Sequence, residues 1–279
     1  NEFPSNFLWG SATSSHQVEG GNINDWSEWE KDYVKKLEYR AHMRAWPSYL
    51  SNKIPLPNSE LNFISNRAAD HYDRFNEDLK IVSDLHHNAY RFSLEWSRIE
   101  PKEGEFNVEA IEHYRNVLLL LKKLNIEPFL TVWHFTNPIW IRDIGGFENT
   151  KTIHFFLRFL RRVVGEYKDL VKFWMPFNEP STYIGMSYIQ GAWPPNVKSS
   201  LRANKVFNHF SFVILESYKI IHEIIPASEV GIGNYLVHLE PLKKRDTIFV
   251  YLLDYLRNRR FLDKYCDAQD FIGVQYYHH

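Results

Sequence analysis

The run Phe177-Asn178-Glu179-Pro180 sets an amide beside a carboxylate and follows them with a proline. It closes Val171-Lys172-Phe173-Trp174-Met175-Pro176, a short and mostly apolar segment that reads as a buried strand. The proline keeps Glu179 out of the α region and ends the strand there, so a carboxylate is expected at a strand's C-terminal end with aromatics behind it. That is the end at which a parallel barrel places its chemistry. A carboxylate fixed there beside an amide has the look of one half of a two-carboxylate site. Taken alone, the tetrapeptide reads better as a turn with a solvated glutamate. The rest of the chain overturns that reading.

Short apolar segments alternate with long amphipathic ones, the pattern of repeated βα units. The strand candidates are Leu8 to Ala12, Ala89 to Leu94, Pro128 to Trp133, Lys172 to Phe177, Val230 to Tyr235 and Phe271 to Tyr276. Helical periodicity is clearest over Ala68 to His86, Val108 to Leu124, Thr152 to Tyr167 and Asn204 to Ile225. Asn107 and Thr150 are the expected N-caps, and Pro226 stops the fourth helix. Lys31 to Asn66 is polar, aromatic and proline-dotted, and fits a long excursion after the first strand. The expected architecture is therefore α/β, a (β/α)8 barrel type with about six βα units visible, in one domain over 1–279 that is incomplete at its C-terminus. An open parallel sheet would leave unpaired edges on its first and sixth strands, so the chain is expected to be completed by more sequence or by a partner copy.

The 279 residues suffice for one large core, and 44% hydrophobic with 24% charged residues is ordinary for a soluble globular protein. With 33 Lys+Arg against 34 Asp+Glu, nothing points to a nucleic-acid or anionic-membrane partner. Aromatics at 16% include 9 Trp and 16 Tyr. Rings with a polar tip stack on sugar C–H faces and still donate hydrogen bonds, although large barrels bury many aromatics anyway. Cys266 stands alone, so no intrachain disulfide forms. Asn1-Glu2-Phe3-Pro4-Ser5 has neither a basic nor an apolar leader pattern, and no stretch approaches a membrane span; a cytoplasmic location is expected. The 13 histidines include the pairs His86-His87 and His278-His279, but no Cys/His spacing fits a zinc site. Gly231-x-Gly233 lacks the third glycine of a dinucleotide loop, and no phosphate loop is present. No metal and no cofactor are expected.

Taken together, five ordered segments resemble glycoside hydrolase family 1, the retaining β-glycosidases. Phe3 to Gly20 is similar to that family's N-terminal signature, and Arg91-Phe92-Ser93-Leu94-Glu95-Trp96-Ser97-Arg98-Ile99 to its second-strand motif. Trp133-His134-Phe135-Thr136-Asn137-Pro138 resembles the third-strand end, Phe177-Asn178-Glu179-Pro180 the fourth, and Asp270 to Tyr277 the sixth.

The resemblance implies hydrolysis of β-linked glucosides or related β-glycosides through a covalent glycosyl-enzyme, with Glu179 as general acid/base and its pKa raised by burial among Trp174 and Phe177 and by the negative charge of a counterpart missing from this chain. It implies that Asn178 holds the sugar 2-hydroxyl, and that Gln17 and His134 hold hydroxyls on the far side of the ring. Arg91 would keep the nucleophilic carboxylate ionised, and Tyr277 would hydrogen-bond it. Each residue also has a plain reading: a solvated Gln17, a packed His134, an Arg91 paired with Glu95 alone. Gln275 stands where the family usually carries Asn. The family's nucleophile is a Glu in a Thr-Glu-Asn-Gly stretch on the seventh strand, which this sequence does not contain. Glu148-Asn149-Thr150 reads as a helix cap rather than a substitute, and neither Glu19 nor Glu95 matches a nucleophile motif. The alternative is a shortened, non-catalytic sugar-binding relative, completed by homo-oligomerisation through its open edges.

Overall fold

Six parallel strands lie side by side in chain order, as found in a computed structural model that describes residues 3–50, 53 and 56–277. The His278-His279 pair and the Asn1-Glu2 start lie outside the described residues. The strands are β1 (Gly10–Ala12), β2 (Ala89–Ser93), β3 (Glu127–Trp133), β4 (Phe173–Phe177), β5 (Glu229–Tyr235) and β6 (Phe271–Gln275). All six fall on the apolar runs expected to form them. Register is continuous across the wall: Arg91 pairs with Phe129, Phe129 with Phe173, Phe173 with Glu229, and Gly231 with Phe271.

After β1 come α1 (Ser15–Val18), α2 (Asp25–His42) and α3 (His71–Asp84). After β2 come α4 (Trp96–Ile99) and α5 (Val108–Lys123), and after β3 come α6 (Ile139–Asp143) and α7 (Thr150–Tyr167). β4 leads into α8 (Pro180–Ile184) and α9 (Ser200–Ile224), and β5 into α10 (Thr247–Asp254) and α11 (Arg260–Tyr265).

Helix starts follow local chemistry. Asn107 caps α5 by accepting from the N–H groups of Glu109 and Ala110 at 2.9 and 3.1 Å. α7 is capped by Asn149, one residue before the expected Thr150, because the amide accepts from Lys151 N–H at 3.0 Å. α3 starts at His71 rather than Ala68, since Ala68 and Asp70 both take left-handed backbone, with φ 47° and 60°. The excursion read from Lys31 onward starts instead as the second half of α2, which begins at Asp25 behind a reciprocal cap between Asn24 and Ser27.

Inside the wall, Phe129 and Phe173 stack at 4.3 Å, and Phe271 meets both edge-on at 6.0 Å. Gly231 makes room for this layer: a Cβ there would lie 2.5 Å from the Phe271 ring. Gly233 does the same one layer up, where a Cβ would meet Met175 Cε and the Gln275 amide at 3.0 Å. On the outer side, α7 buries Ile153, Phe156, Phe159, Leu160, Val163, Val164 and Tyr167, an apolar stripe at helical spacing. Phe177 joins that layer, contacting Trp133, Phe147, Phe156 and Phe210 with ring centroids 4.8–5.9 Å apart. Each such ring contributes roughly 1.5–3 kcal/mol through removal from water. The inner layers and this outer layer together hold the strand tips at fixed separations, and the site is built on those tips.

Candidate active site

Asn178 and Glu179 leave β4 tied to opposite neighbours. Asn178 N–H donates to Trp133 O on β3 at 3.0 Å, and Glu179 N–H donates to Gly233 O on β5 at 2.7 Å. The proline does keep Glu179 out of the right-handed α region, but into left-handed rather than extended backbone, with φ 41° and ψ 57°. For a residue with a Cβ this conformation costs of order 1–3 kcal/mol, and it is held by the two ladder bonds and by α8, which starts with Pro180 at its first position. Both side chains are buried, Asn178 at 2% and Glu179 at 6% exposure. Burial raises the Glu179 pKa, while a hydrogen bond with Thr182 and the charge of Arg91 pull it down. The raised direction agrees with the sequence-based expectation. Phe177, one of its expected helpers, turns instead into the helix layer, and among the described residues the charge acting on Glu179 is the positive one of Arg91.

Arg91 comes from the middle of β2 and points inward. Its Nε donates to Thr131 Oγ1 on β3 at 3.0 Å, and its Nη2 donates to Asn178 Oδ1. Glu95 is not its partner, because Glu95 accepts from the hydroxyls of Ser15, Ser97 and Thr136. Burial brings the Arg91 pKa down to about 10, against the charges of Glu179 and Tyr277. His134 follows β3 directly, with a buried Nδ1 that has no partner among the described residues. Its pKa falls to about 3, first through burial and then through Arg91, so the ring is neutral.

Gln275 ends β6 and reaches into this group. The amide is oriented by its surroundings. With Nε2 toward Glu179, it donates to Glu179 Oε1 and at 3.1 Å to the Tyr277 hydroxyl, and its Oε1 accepts from Arg91 Nη1 at 2.7 Å. The opposite orientation donates to Asn178 Oδ1 at 2.7 Å, where the first faces oxygen to oxygen, but it sets donor against donor at Arg91 and acceptor against acceptor at Glu179. Tyr277 is 70% exposed and leans on Tyr235 at 5.5 Å. Gln17, in α1, is exposed and accepts from Ser14 Oγ at 2.7 Å.

Arg91, Asn178, Glu179 and Tyr277 thus converge through direct bonds and the Gln275 amide, with His134 close enough to feel Arg91. Gln17 is not bonded to them. Thr131 and Thr182 are hydroxyls in ordinary strand and helix positions, and nothing in the sequence marks them. Gln275 carries two signals, a shared strand face with Tyr277 and an amide one methylene longer than the family's usual Asn. Among the described residues, no group of His, Cys, Asp and Glu could hold a metal ion, and no helix is long and apolar enough to cross a membrane.

The chain matches the model of glycosyl hydrolase family 1 over residues 1–275. It is 27% identical over 276 residues to a 1,4-β-D-glucan glucohydrolase of Thermotoga neapolitana, covering 99% of this chain and 59% of that protein. It is 30% identical over 273 residues to an aryl-phospho-β-D-glucosidase of Bacillus subtilis, covering 95% of this chain and 53% of that protein. The solved structure of a β-glycosidase from Pyrococcus horikoshii superposes with a TM-score of 0.81 at 32% identity, covering 99% of this chain and 62% of that one. The chain therefore spans little more than half the length of the relatives it matches, and its six strands correspond to part of their (β/α)8 barrel. With a family match along essentially all of its length and the matching strand-end motifs gathered at one mouth, the chain belongs to glycosyl hydrolase family 1.

Proposed function

We propose that these residues form the acid/base side of a retaining β-glycosidase acting on β-linked glucosides or related β-glycosides. The observation that supports this most is the buried carboxyl of Glu179, set beside Asn178 at the strand tips with its proton affinity raised by burial. In the first step a carboxylate attacks the anomeric carbon, the bond from that carbon to the aglycone oxygen breaks, and Glu179 gives its proton to that oxygen. In the second step Glu179, now ionised, takes a proton from water. The water oxygen bonds to the anomeric carbon and the attacking carboxylate leaves.

In this reading the attacking carboxylate comes from outside residues 1–279. Glu19 accepts from Arg98 at 3.0 Å and from Tyr114 at 2.7 Å, and Glu95 is held by three hydroxyls, so both are engaged elsewhere. Arg91 would keep that carboxylate ionised and Tyr277 would hydrogen-bond it. Asn178 would hold the 2-hydroxyl, with Gln17 and the neutral ring of His134 on hydroxyls across the sugar. Neither metal nor cofactor takes part in this chemistry.

A second reading, a sugar-binding relative without turnover, draws on the sheet: among the described residues β1 and β6 each pair on one side only. Those edges would accept strands from the rest of a barrel or from another copy. Turnover of a chromogenic β-glucoside by the protein as encoded, including whatever sequence lies beyond residues 1–279, separates the two. The first reading expects activity that falls by about 10²–10⁴ in Glu179→Gln. Unchanged turnover in that variant would remove Glu179 from the role, and binding without turnover by the unaltered protein would favour the second reading.

A further inference from the structure

Gln17 and His134 extend from the ends of β1 and β3, two strands that do not touch, because β2 lies between them. Something must set the two loops relative to each other before both side chains can face one sugar ring. Glu95, just past the end of β2, is fully buried, and among the described residues every donor to its carboxylate is a hydroxyl. Its Oε2 accepts from Ser15 Oγ at 3.0 Å and from Thr136 Oγ1 at 3.0 Å, and its Oε1 accepts from Ser97 Oγ at 2.7 Å. Ser15 stands at i−2 from Gln17, and Thr136 at i+2 from His134.

A second clasp joins the same two loops. Asp25 accepts from the backbone N–H of Asn137 at 2.7 Å and from its amide at 2.8 Å, while Asp25 N–H donates to Asn137 O at 3.0 Å. The other end of the Asn137 side chain accepts from Trp133 Nε1 at 3.1 Å, so the segment from Trp133 to Asn137 that contains His134 is held at both ends. Desolvated carboxylates are an expensive way to join loops, and apolar side chains would pack there at less cost. What directional bonds supply and apolar contact does not is a fixed register between the loops.

From this geometry we infer that Glu95 and Asp25 are positioning residues that hold Gln17 and His134 as one wall of the sugar site. The inference rests on the glycosidase reading for the ligand, and on the hydrogen bonds alone for the clasp.

The test uses the protein as encoded, with Thr136→Val as the nearly isosteric cut, Thr136→Ser as the rescue, and Glu95→Gln as the stronger lesion. The clasp predicts that Thr136→Val raises KM for an aryl β-glucoside by about tenfold with kcat less affected, and that Thr136→Ser restores it. It also predicts that the penalty disappears in a Gln17→Ala/His134→Ala background, because nothing is left to position. The same cycle is read as Kd for glucoimidazole by calorimetry, which does not require turnover. An equal penalty in both backgrounds, or no rescue by Ser, overturns the clasp and leaves the glycosidase reading standing. Binding of glucoimidazole without turnover sinks the glycosidase reading while the Kd cycle still decides the clasp. Absence of both binding and turnover sinks both.

Discussion

Arg91 on β2 donates to the side-chain oxygen of Asn178 past the end of β4, crossing over Thr131 on the strand between them. One guanidinium therefore orients the amide assigned to the 2-hydroxyl and places a positive charge beside the carboxyl assigned to proton transfer. Because the charge favours the ionised form of Glu179, it works against burial, and burial prevails.

Replacing Arg91 with Met is expected to release Asn178 and to raise the Glu179 pKa further. The protonated acid then persists to higher pH, so the alkaline limb of a kcat/KM profile moves up while its height falls by about tenfold, the value of a lost charge-assisted hydrogen bond. A limb that stays in place or moves down would show that Arg91 does not act on Glu179.

His134 carries no charge in the working range, since burial and Arg91 bring its pKa to about 3. His134→Ala is expected to raise KM about tenfold through a lost neutral hydrogen bond, without changing the shape of the pH profile between about pH 5 and 8. A new or missing inflection in that interval, measured on the variant, would contradict the neutral ring.

Glu19 caps the C-terminal end of α1 and is buried, and burial lifts its pKa to about 7 despite Arg98. A carboxyl whose folded pKa exceeds its unfolded value stabilises the fold below the unfolded pKa, and that contribution is lost as pH rises through the folded value. The window runs from near 4.5 to about 7. Compared with Glu19→Gln, the native protein should lose stability with a slope of at most about 1.4 kcal/mol per pH unit across this window. Denaturant midpoints of the two proteins measured from pH 5 to 8 give the difference, and parallel curves would exclude a titrating Glu19.

Much of this architecture follows from short-range pattern. The strand positions are legible because apolar runs such as Pro128 to Trp133 have no other way to be buried, and α5 because Asn107 offers a cap in front of an apolar repeat. Where local cues compete, the pattern misleads. Thr150 makes as good a cap on paper as Asn149, and nothing local marks Ala68 and Asp70 as left-handed residues that delay α3.

What the sequence by itself determined is the set of strand-helix units and the residue types at their tips, including Glu179 before a proline. Only the tertiary structure decided which tips meet: that Arg91 serves Asn178 rather than Glu95, that Glu95 binds loops together, and that Gln275 reaches Glu179 from β6. The physical reason is range. Periodicity and capping act over a few residues, whereas these bonds join positions 41 to 96 residues apart and exist only once the parallel wall has curved its strand ends toward one another.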